Sequence, residues 1–206
     1  HTDAVQAYGH IPVNVNECMI DMLSMSAHKL RGPKGIGFLY IRNGLELPPY
    51  IDGGSQENGR RAGTSNVPGI VGLGKACEIA SRSMPRNMNN MTRLRNRIIY
   101  KIKQKLPDAV LTGPEQQRLP NNISFCFPHV ESAKLLAMLD MQGICASAGS
   151  ACSTGAAGPS HVLIAMGISP DLASGSLRLT ISSDTTIEEA DFVAEAVVKT
   201  VKKLRI

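Results

Sequence analysis

The sequence predicts a protein of the α/β or α+β class. Strand-like and helix-like patterns alternate along its 206 residues, and 43% of these residues are apolar, as in an ordinary globular protein. This length is enough for one fair-sized core or for two small ones. A shift in composition near residue 84 predicts two parts, residues 1–84 and 85–206.

The first part combines short extended runs with a glycine-rich loop and one helix. Residues 11–15 alternate between apolar and polar side chains, residues 19–24 form a second extended run, and residues 35–41 read as a buried strand. After the loop, apolar residues at helical spacing predict a helix, which we expect Pro85 to end. This apolar face consists of Ile70, Leu73, Gly74, Cys77 and Ala80.

The second part is predicted to be a mixture of strands and helices. Gly143 is expected to close one helix, and residues 144–160, rich in Gly, Ala and Ser, are expected to form a mobile loop. Thr185 and Glu188 have the spacing of a capping box at the start of the last helix. The predicted helices cover 91–102, 132–142 and the residues from 185 onward, and the predicted strands cover 123–127 and 177–181.

Composition argues against several classes of function. The net charge is +5, but most basic residues are scattered, and four Tyr, four Phe and no Trp offer little for stacking on bases. We therefore expect no nucleic-acid partner. No apolar run approaches the ~20 residues that span a bilayer, so no membrane segment is expected. The five cysteines are odd in number and lack CxxC spacing, which argues against a metal site or disulfide framework and fits a reducing cytoplasm.

A lysine and an aspartate near the start of the chain are candidate cofactor ligands. Lys29 follows a predicted strand and precedes the Gly32-Pro33 turn, which could hold its amine toward a cleft, although a lone lysine is usually a surface residue. Asp3 is placed at the end of a predicted buried strand, where a carboxylate is costly unless it meets a cation. A protonated pyridine nitrogen is one such cation, and the alternative is a helix N-cap.

Two glycine-rich segments are the other candidates. Residues 53–66 combine glycines and hydroxyls with two arginines near a helix start, a composition that can bind phosphate, although an ordinary flexible loop remains an alternative. Residues 147–155 surround Cys152 with small side chains, which disfavours burial in a core. A thiol in such a loop is available to attack a substrate and carry the product away.

These four segments, in this order and spacing, resemble the nitrogen-fixation and iron–sulfur-assembly cysteine desulfurases of the class V aminotransferase family. The resemblance covers essentially all 206 residues, including residues 159–163 and 176–180. It implies a pyridoxal-phosphate-dependent transferase of fold type I. Residues 1–84 would be the C-terminal part of the large domain, with a mostly parallel sheet. Residues 85–206 would be the small α+β domain, with the cysteine loop at 144–160.

The resemblance also implies a role for each site residue. Lys29 would form the Schiff base with pyridoxal phosphate (PLP), and Cys152 would take sulfur from L-cysteine as a persulfide while alanine leaves. Lys29, Cys152 and His28 would form the catalytic set, and Arg178 would hold the substrate carboxylate. The remaining cofactor contacts would be Asp3 at the pyridine nitrogen, Gln6 at the phenolic oxygen, Ser26 and His28 at the phosphate, and Thr64 at the phosphate from the neighbouring subunit.

Members of this family are roughly twice as long, as a two-domain enzyme requires. Their N-terminal half supplies a ring-stacking histidine, a phosphate loop and an asparagine that cannot be located here. We therefore expect the 206 residues to be a C-terminal half that is inactive alone, with the other half on the same or a separate chain. A homodimer and a sulfur acceptor such as an iron–sulfur scaffold protein are also implied.

Two alternatives remain open from the sequence. One is a selenocysteine lyase or another class V enzyme that uses the same lysine and aspartate on a different substrate. The other is a non-catalytic interaction module that keeps the fold. Replacing Cys152 with alanine should abolish desulfuration of cysteine, whereas an enzyme of the first kind could keep its turnover. A yellow colour that is lost in Lys29→Ala would indicate a bound cofactor and so argue against the second alternative.

Overall fold

The chain forms two compact units in the computed structural model, which describes residues 1–149 and 158–206. Unit 1 is His1–Arg86 and unit 2 is Asn87–Ile206. The strands of the described residues are β1 Thr2–Asp3, β2 Met22–Ser26, β3 Gly37–Ile41, β4 Val110–Leu111, β5 Asn122–Cys126 and β6 Ser176–Thr180. The α-helices are α1 Gln56–Gly59, α2 Val67–Lys105, α3 Ser132–Asp140, α4 His161–Ala165, α5 Pro170–Ala173 and α6 Ile187–Leu204.

The sheet of unit 1 has the order β1-β2-β3 and mixes two pairing directions. β1 runs parallel to β2, with Thr2 opposite Leu23 and Asp3 opposite Ser24. β3 runs antiparallel to β2. The expectation of a mostly parallel sheet therefore holds for only one of these two pairings. The parallel pairing matters for the site, because the carboxyl ends of β1 and β2 share one edge of the sheet.

All three predicted strands of unit 1 differ in the structure, and the run predicted at residues 19–24 is the strand β2 at Met22–Ser26. Residues 11–15 contain one isolated bridge, between Tyr8 and Ile11, and no strand. The Arg42 guanidinium donates to the carbonyls of Val15 and Ile20 at 2.9 and 2.8 Å, which holds this segment as a loop. β3 begins two residues later than predicted and is an edge strand with 44% of Leu39 exposed, rather than a strand buried on both faces.

The helix α2 passes through Pro85, where the sequence predicts a break. A proline inside a helix removes one backbone hydrogen bond and costs about 3 kcal/mol. Apolar side chains flank the proline on both sides: Leu73 is buried before it, and Leu94 and Ile98 are buried after it. Burial of these side chains outweighs the local cost, so the helix continues.

Unit 2 is built on the antiparallel sheet β4-β5-β6. The predicted strands at 123–127 and 177–181 are confirmed with a shift of one residue. Alternate residues such as Phe125 and Leu177 enter a core with helix side chains such as Ile98, Leu135 and Val197, all at most 1% exposed. Because side chains alternate along a strand, the residues between them lie on the opposite face of the sheet.

The helix ends of unit 2 show small differences from the predicted positions. The capping box at the start of α6 uses Thr186 and Glu189, one residue later than predicted, because the Thr185 hydroxyl instead accepts the amide N–H of Ser182 at 3.1 Å. α3 ends at Asp140, and a turn then reaches Gly143, whose φ of +78° requires a left-handed conformation.

Candidate functional site

The predicted cofactor lysine lies in a tight turn directly after β2. Residues Ala27–Leu30 form a 3-10 helix in which Ala27 is fully buried and its N–H donates to the carbonyl of Ile36 at 3.0 Å. Gly32 closes the turn by donating its N–H to the carbonyl of Ala27 at 3.0 Å. The backbone is thus fixed at both ends, while the side chains of His28 and Lys29 are exposed.

Close packing beneath this turn explains the glycine at position 32. A Cβ at Gly32 would lie 3.0 Å from the Cβ of Ala76 in α2 and 3.1 Å from the carbonyl oxygen of Ala27. Larger side chains here would push the turn away from α2. The Gly-Pro sequence therefore supports the position of Lys29 through packing as well as through turn conformation.

Asp3 lies at the end of β1 and is exposed, so the expectation of a buried carboxylate is wrong. Its Oδ1 accepts the amide N–H of Val5 at 2.9 Å, which is close to the N-cap alternative considered from the sequence. Within the described residues, Oδ2 accepts no hydrogen bond from the protein. Oδ2 is therefore available to bind a ligand. Because the carboxylate is exposed, it does not need a cationic partner to offset a cost of burial.

The parallel pairing of β1 with β2 brings Asp3 and Ser26 to one edge of the sheet. Asp3 is opposite Ser24, and Ser26 lies two residues further along β2 on the same face as Ser24. From ordinary strand spacing, the Cα atoms of Asp3 and Ser26 are about 8 Å apart. His28 and Lys29 follow two and three residues after Ser26. Residues with a carboxylate, a hydroxyl, an imidazole and an amine therefore lie at or within three residues of the carboxyl ends of β1 and β2.

Gln6 and Thr64 are also in unit 1, and both are exposed. Gln6 is in the turn that follows β1, and Thr64 is three residues before α2 begins. The Arg61 guanidinium donates to the carbonyl of Gly63 at 3.2 Å, which orders the backbone just before Thr64. A cavity of about 390 Å³ is lined by residues 45–48 and 58–60. Its lining includes Arg60 of the glycine-rich segment 53–66 but none of the residues to which the resemblance gives an individual role.

Arg178 lies in the middle of β6, in unit 2, and is half-buried. It is opposite Ser124 of β5 on one side and Ser147 on the other. The N–H of Ser147 donates to the carbonyl of Arg178 at 3.1 Å, and the N–H of Arg178 donates back to Ser147. Thr112 extends this polar row through a 2.6 Å hydrogen bond to the Ser124 hydroxyl. Arg178 therefore belongs to a polar row on the sheet face opposite the core.

Cys152 lies outside the described residues. Residues 144–149 of the predicted mobile loop are described, and they are held in unit 2, because Ile144 is buried in its core and Ser147 pairs with β6. One further polar residue at this place was missed in the sequence. Ser176 is 4% exposed, and its hydroxyl donates to the carbonyl of Ala148 at 2.6 Å. The sequence feature that could have identified Ser176 is its position two residues before Arg178 in a strand.

The environment of the other cysteines bears on which thiol can react. Burial raises the pKa of the Cys77 thiol, despite a hydrogen bond with Tyr8, and burial also raises the pKa of Cys126. Because the thiolate is the nucleophile, both groups are disfavoured as sulfur acceptors. Cys18 and Cys145 are exposed free thiols. In residues 1–149 and 158–206, no three His, Cys, Asp or Glu side chains form a group suited to a metal ion.

Comparison with known proteins identifies the family. The aminotransferase class-V family model matches residues 1–193. The chain belongs to the class-V aminotransferase family. The resemblance predicted from the sequence and the predicted fold class are thereby confirmed. The family implies PLP as the cofactor. In the described part of the chain, no helix has the length and apolar character needed to cross a membrane.

Individual members of the class-V family show how far the similarity extends. The chain is 49% identical over 205 residues to cysteine desulfurase IscS of Dictyoglomus turgidum, covering 100% of this chain and 52% of the relative. It is 48% identical over 207 residues to cysteine desulfurase IscS of Clostridium botulinum, with the same coverage. A NifS-like protein from Rickettsia africae superposes with a TM-score of 0.87 at 29% identity, over 97% of this chain and 52% of the other. The chain spans about half the length of the curated relatives it matches.

Proposed function

We propose that this chain supplies the lysine, the carboxylate and the sulfur-accepting cysteine of a PLP-dependent cysteine desulfurase. The observation that carries the proposal is the shared edge of β1 and β2, where Asp3 lies beside the strand that leads directly into Lys29. Similarity over the whole of this chain, at 48–49% identity to about half of each relative named cysteine desulfurase, supports the same assignment. Unit 1 would belong to the large cofactor-binding domain, and unit 2 would be the small domain.

The donor set at this edge fits PLP. The cofactor carries a pyridine nitrogen that is cationic when protonated, an aldehyde that reacts with amines, and a phosphate. The carboxylate of Asp3, the amine of Lys29 and the hydroxyl and imidazole of Ser26 and His28 match these three groups in turn. Gln6 would donate to the phenolic oxygen. Thr64 would reach the phosphate of a second subunit, which makes a homodimer part of the proposal.

Each reactive side chain would have a separate task in the reaction. When bound, PLP would supply an electron sink for negative charge at the substrate Cα. The Lys29 amine would move the proton at that Cα, with His28 next to it as a second group able to exchange protons. The Arg178 guanidinium would fix the substrate carboxylate through two parallel N–H bonds.

Cys152 would complete the reaction as the sulfur acceptor. Its thiolate would attack the sulfur of L-cysteine, so that an S–S bond forms while the substrate C–S bond breaks. The carbon that loses sulfur takes up a proton and leaves as alanine, and the sulfur remains as a persulfide on Cys152. An acceptor protein, such as an iron–sulfur scaffold, would then take this sulfur. We also propose a cytoplasmic location, where cysteine thiols stay reduced.

The half of the relatives' sequence that this chain does not cover would provide the rest of the site. We therefore propose that residues 1–206 alone form no alanine from L-cysteine, and that activity requires the other half on the same or a second chain. Alanine formed by the 206-residue chain alone would contradict this part of the proposal.

The cofactor assignment can be tested by PLP binding. The complete PLP-loaded protein should be yellow, and its intact mass should include PLP on Lys29 after borohydride reduction. Lys29→Ala should lose both signals. Lys34→Ala, which removes another exposed lysine five residues away, is the matched control and should keep both. Retention of the colour and of the reduced adduct in Lys29→Ala would overturn the assignment.

The sulfur-transfer step can be tested by product analysis. Alanine and a persulfide on Cys152 should form from L-cysteine, and Cys152→Ala should abolish both products. Cys18→Ala, which removes an exposed free thiol, should leave them unchanged. If Cys152→Ala still releases alanine from L-cysteine, the desulfurase assignment is wrong. Turnover of selenocysteine alone by the wild-type protein would favour a selenocysteine lyase.

A further inference from the structure

A short segment after β1 connects two of the proposed cofactor ligands to the rest of unit 1. We call residues 4–11 the arm. Asp3 directly precedes the arm, and Gln6 lies within it. The N–H of Ala4 donates to the carbonyl of Ser24 at 3.0 Å, which extends the pairing of β1 with β2 by one residue. The beginning of the arm is therefore fixed to the sheet.

Tyr8 anchors the middle of the arm. Its ring meets the Phe38 ring of β3 edge-on, with the ring centroids 5.4 Å apart. Its hydroxyl forms a hydrogen bond with the Cys77 thiol of α2, and its N–H donates to the carbonyl of Ala4 at 2.8 Å. Contacts with the sheet and with α2 therefore hold the arm as far as Tyr8.

Gly9 follows Tyr8 and packs against Leu30, the residue next to Lys29 in the 3-10 helix. Its φ of +77° lies in the left-handed region that favours glycine. A Cβ at this position would lie 2.4 Å from Cδ2 of Leu30 and 3.3 Å from the Cβ of Ala80 in α2. The arm and the Lys29 turn therefore meet at a point that has no room for a side chain.

Leu30 must move if position 9 carries a side chain. The arm is held at Tyr8, and Ala80 belongs to α2, whose Leu73 side chain is buried in the core of unit 1. Leu30 packs against this core as well, which limits rotation of its side chain. To go from 2.4 Å to the 3.0 Å that real Cβ atoms keep, its Cδ2 must shift by at least about 0.6 Å. Because Leu30 follows Lys29 in a four-residue helix, part of this shift reaches the lysine.

We propose that Gly9 is a positioning residue for the cofactor lysine, because its contact with Leu30 sets the distance between the Asp3 carboxylate and the Lys29 amine. This inference rests on the proposed PLP-dependent function. Reacting groups must be held close to their productive geometry, and a misplacement of about 1 Å can lower a rate about 100-fold. A side chain at position 9 should therefore impair the attachment of PLP to Lys29.

Gly35 provides the matched control. Its φ of +76° is nearly that of Gly9, but a Cβ there would have no atom of the described residues within 4 Å. Gly9→Ala and Gly35→Ala therefore carry the same backbone cost, and only Gly9→Ala adds the contact with Leu30. Leu30→Ala removes the Cδ2 atom, so adding Gly9→Ala to Leu30→Ala should have little further effect.

PLP binding to the complete protein tests the functional part. Gly9→Ala should bind PLP about tenfold more weakly than Gly35→Ala, measured by the yellow colour and by the borohydride-reduced adduct on Lys29. Pyridoxamine phosphate has no aldehyde and cannot bond to the lysine, so its affinity should change by less than about threefold. In the Leu30→Ala background, adding Gly9→Ala should change PLP affinity by less than about twofold.

Two results of these binding experiments would overturn the proposal. If Gly9→Ala and Gly35→Ala bind PLP equally well, Leu30 turns aside and Lys29 stays in place. If Gly9→Ala loses affinity for PLP and for pyridoxamine phosphate to the same extent, position 9 acts on the whole cofactor site rather than on the lysine.

Amide hydrogen exchange of the PLP-free protein tests the structural part. The N–H of Gly32, whose hydrogen bond closes the Lys29 turn, should exchange about tenfold faster in Gly9→Ala than in Gly35→Ala. The N–H of Ala4 reports on the β1–β2 pairing and should exchange at the same rate in both. Unchanged exchange at Gly32, or equal acceleration at Ala4, would refute the positioning role. If the wild type binds no PLP, the proposed function fails, whereas exchange at Gly32 still decides whether Gly9 holds the turn.

Discussion

Replacing Gly37 with alanine should weaken the strand pair that supports the Lys29 turn. Gly37 begins β3 and is opposite Ser26, the last residue of β2. A Cβ at this position would lie 2.3 Å from the carbonyl oxygen of Met25, closer than the 3.0 Å that real Cβ atoms respect. The two strands must therefore separate by at least about 0.7 Å. Because the obstacle is backbone rather than a flexible side chain, we expect a loss of about 2–3 kcal/mol in the free energy of unfolding.

Gly74→Ala is the control for this experiment, since Gly74 is in the same unit, inside α2, and a Cβ there would have no atom within 4 Å. Alanine is favoured over glycine in a helix by up to about 1 kcal/mol, so this variant should be unchanged or more stable. Urea unfolding followed by tyrosine near-ultraviolet circular dichroism provides the measurement, because Tyr8, Tyr40 and Tyr50 lie in unit 1. If Gly37→Ala is within about 0.5 kcal/mol of Gly74→Ala, the steric argument is wrong.

Three further predictions concern unit 2, and urea midpoints provide the measurement for each. Ile98→Ala should cost about 2–5 kcal/mol because it opens a cavity at a fully buried position. Thr186→Ala should cost about 1 kcal/mol by removing the N-cap of α6. Arg97, with Lys101, holds the pKa of Asp191 well below its ordinary value of 3.8. Asp191→Asn should therefore destabilise at neutral pH, and its difference from the wild type should shrink as the pH falls below that value.

Several parts of the candidate site could be predicted from the sequence because they depend on local residue order. Lys29 was predicted between a strand and the Gly32-Pro33 turn, and the structure places it between β2 and Gly32, in a 3-10 helix that was not predicted. The burial of Asp3 was predicted wrongly, because exposure depends on what covers the end of β1 rather than on the pattern of β1 itself. Cys152 was selected for its small neighbours, and its role stays a prediction.

The family and the alternation of apolar residues in unit 2 were determined by the sequence alone. Alternation is a local property, so Phe125 and Leu177 could be assigned to the core without knowing which strands pair. Only the tertiary structure decided that α2 continues through Pro85 and that the Ser176 hydroxyl meets Ala148. Both depend on groups that are distant along the chain. In the first case, the burial of apolar side chains compensates for the cost of a proline inside the helix. In the second case, a hydrogen bond joins two residues that only folding brings together.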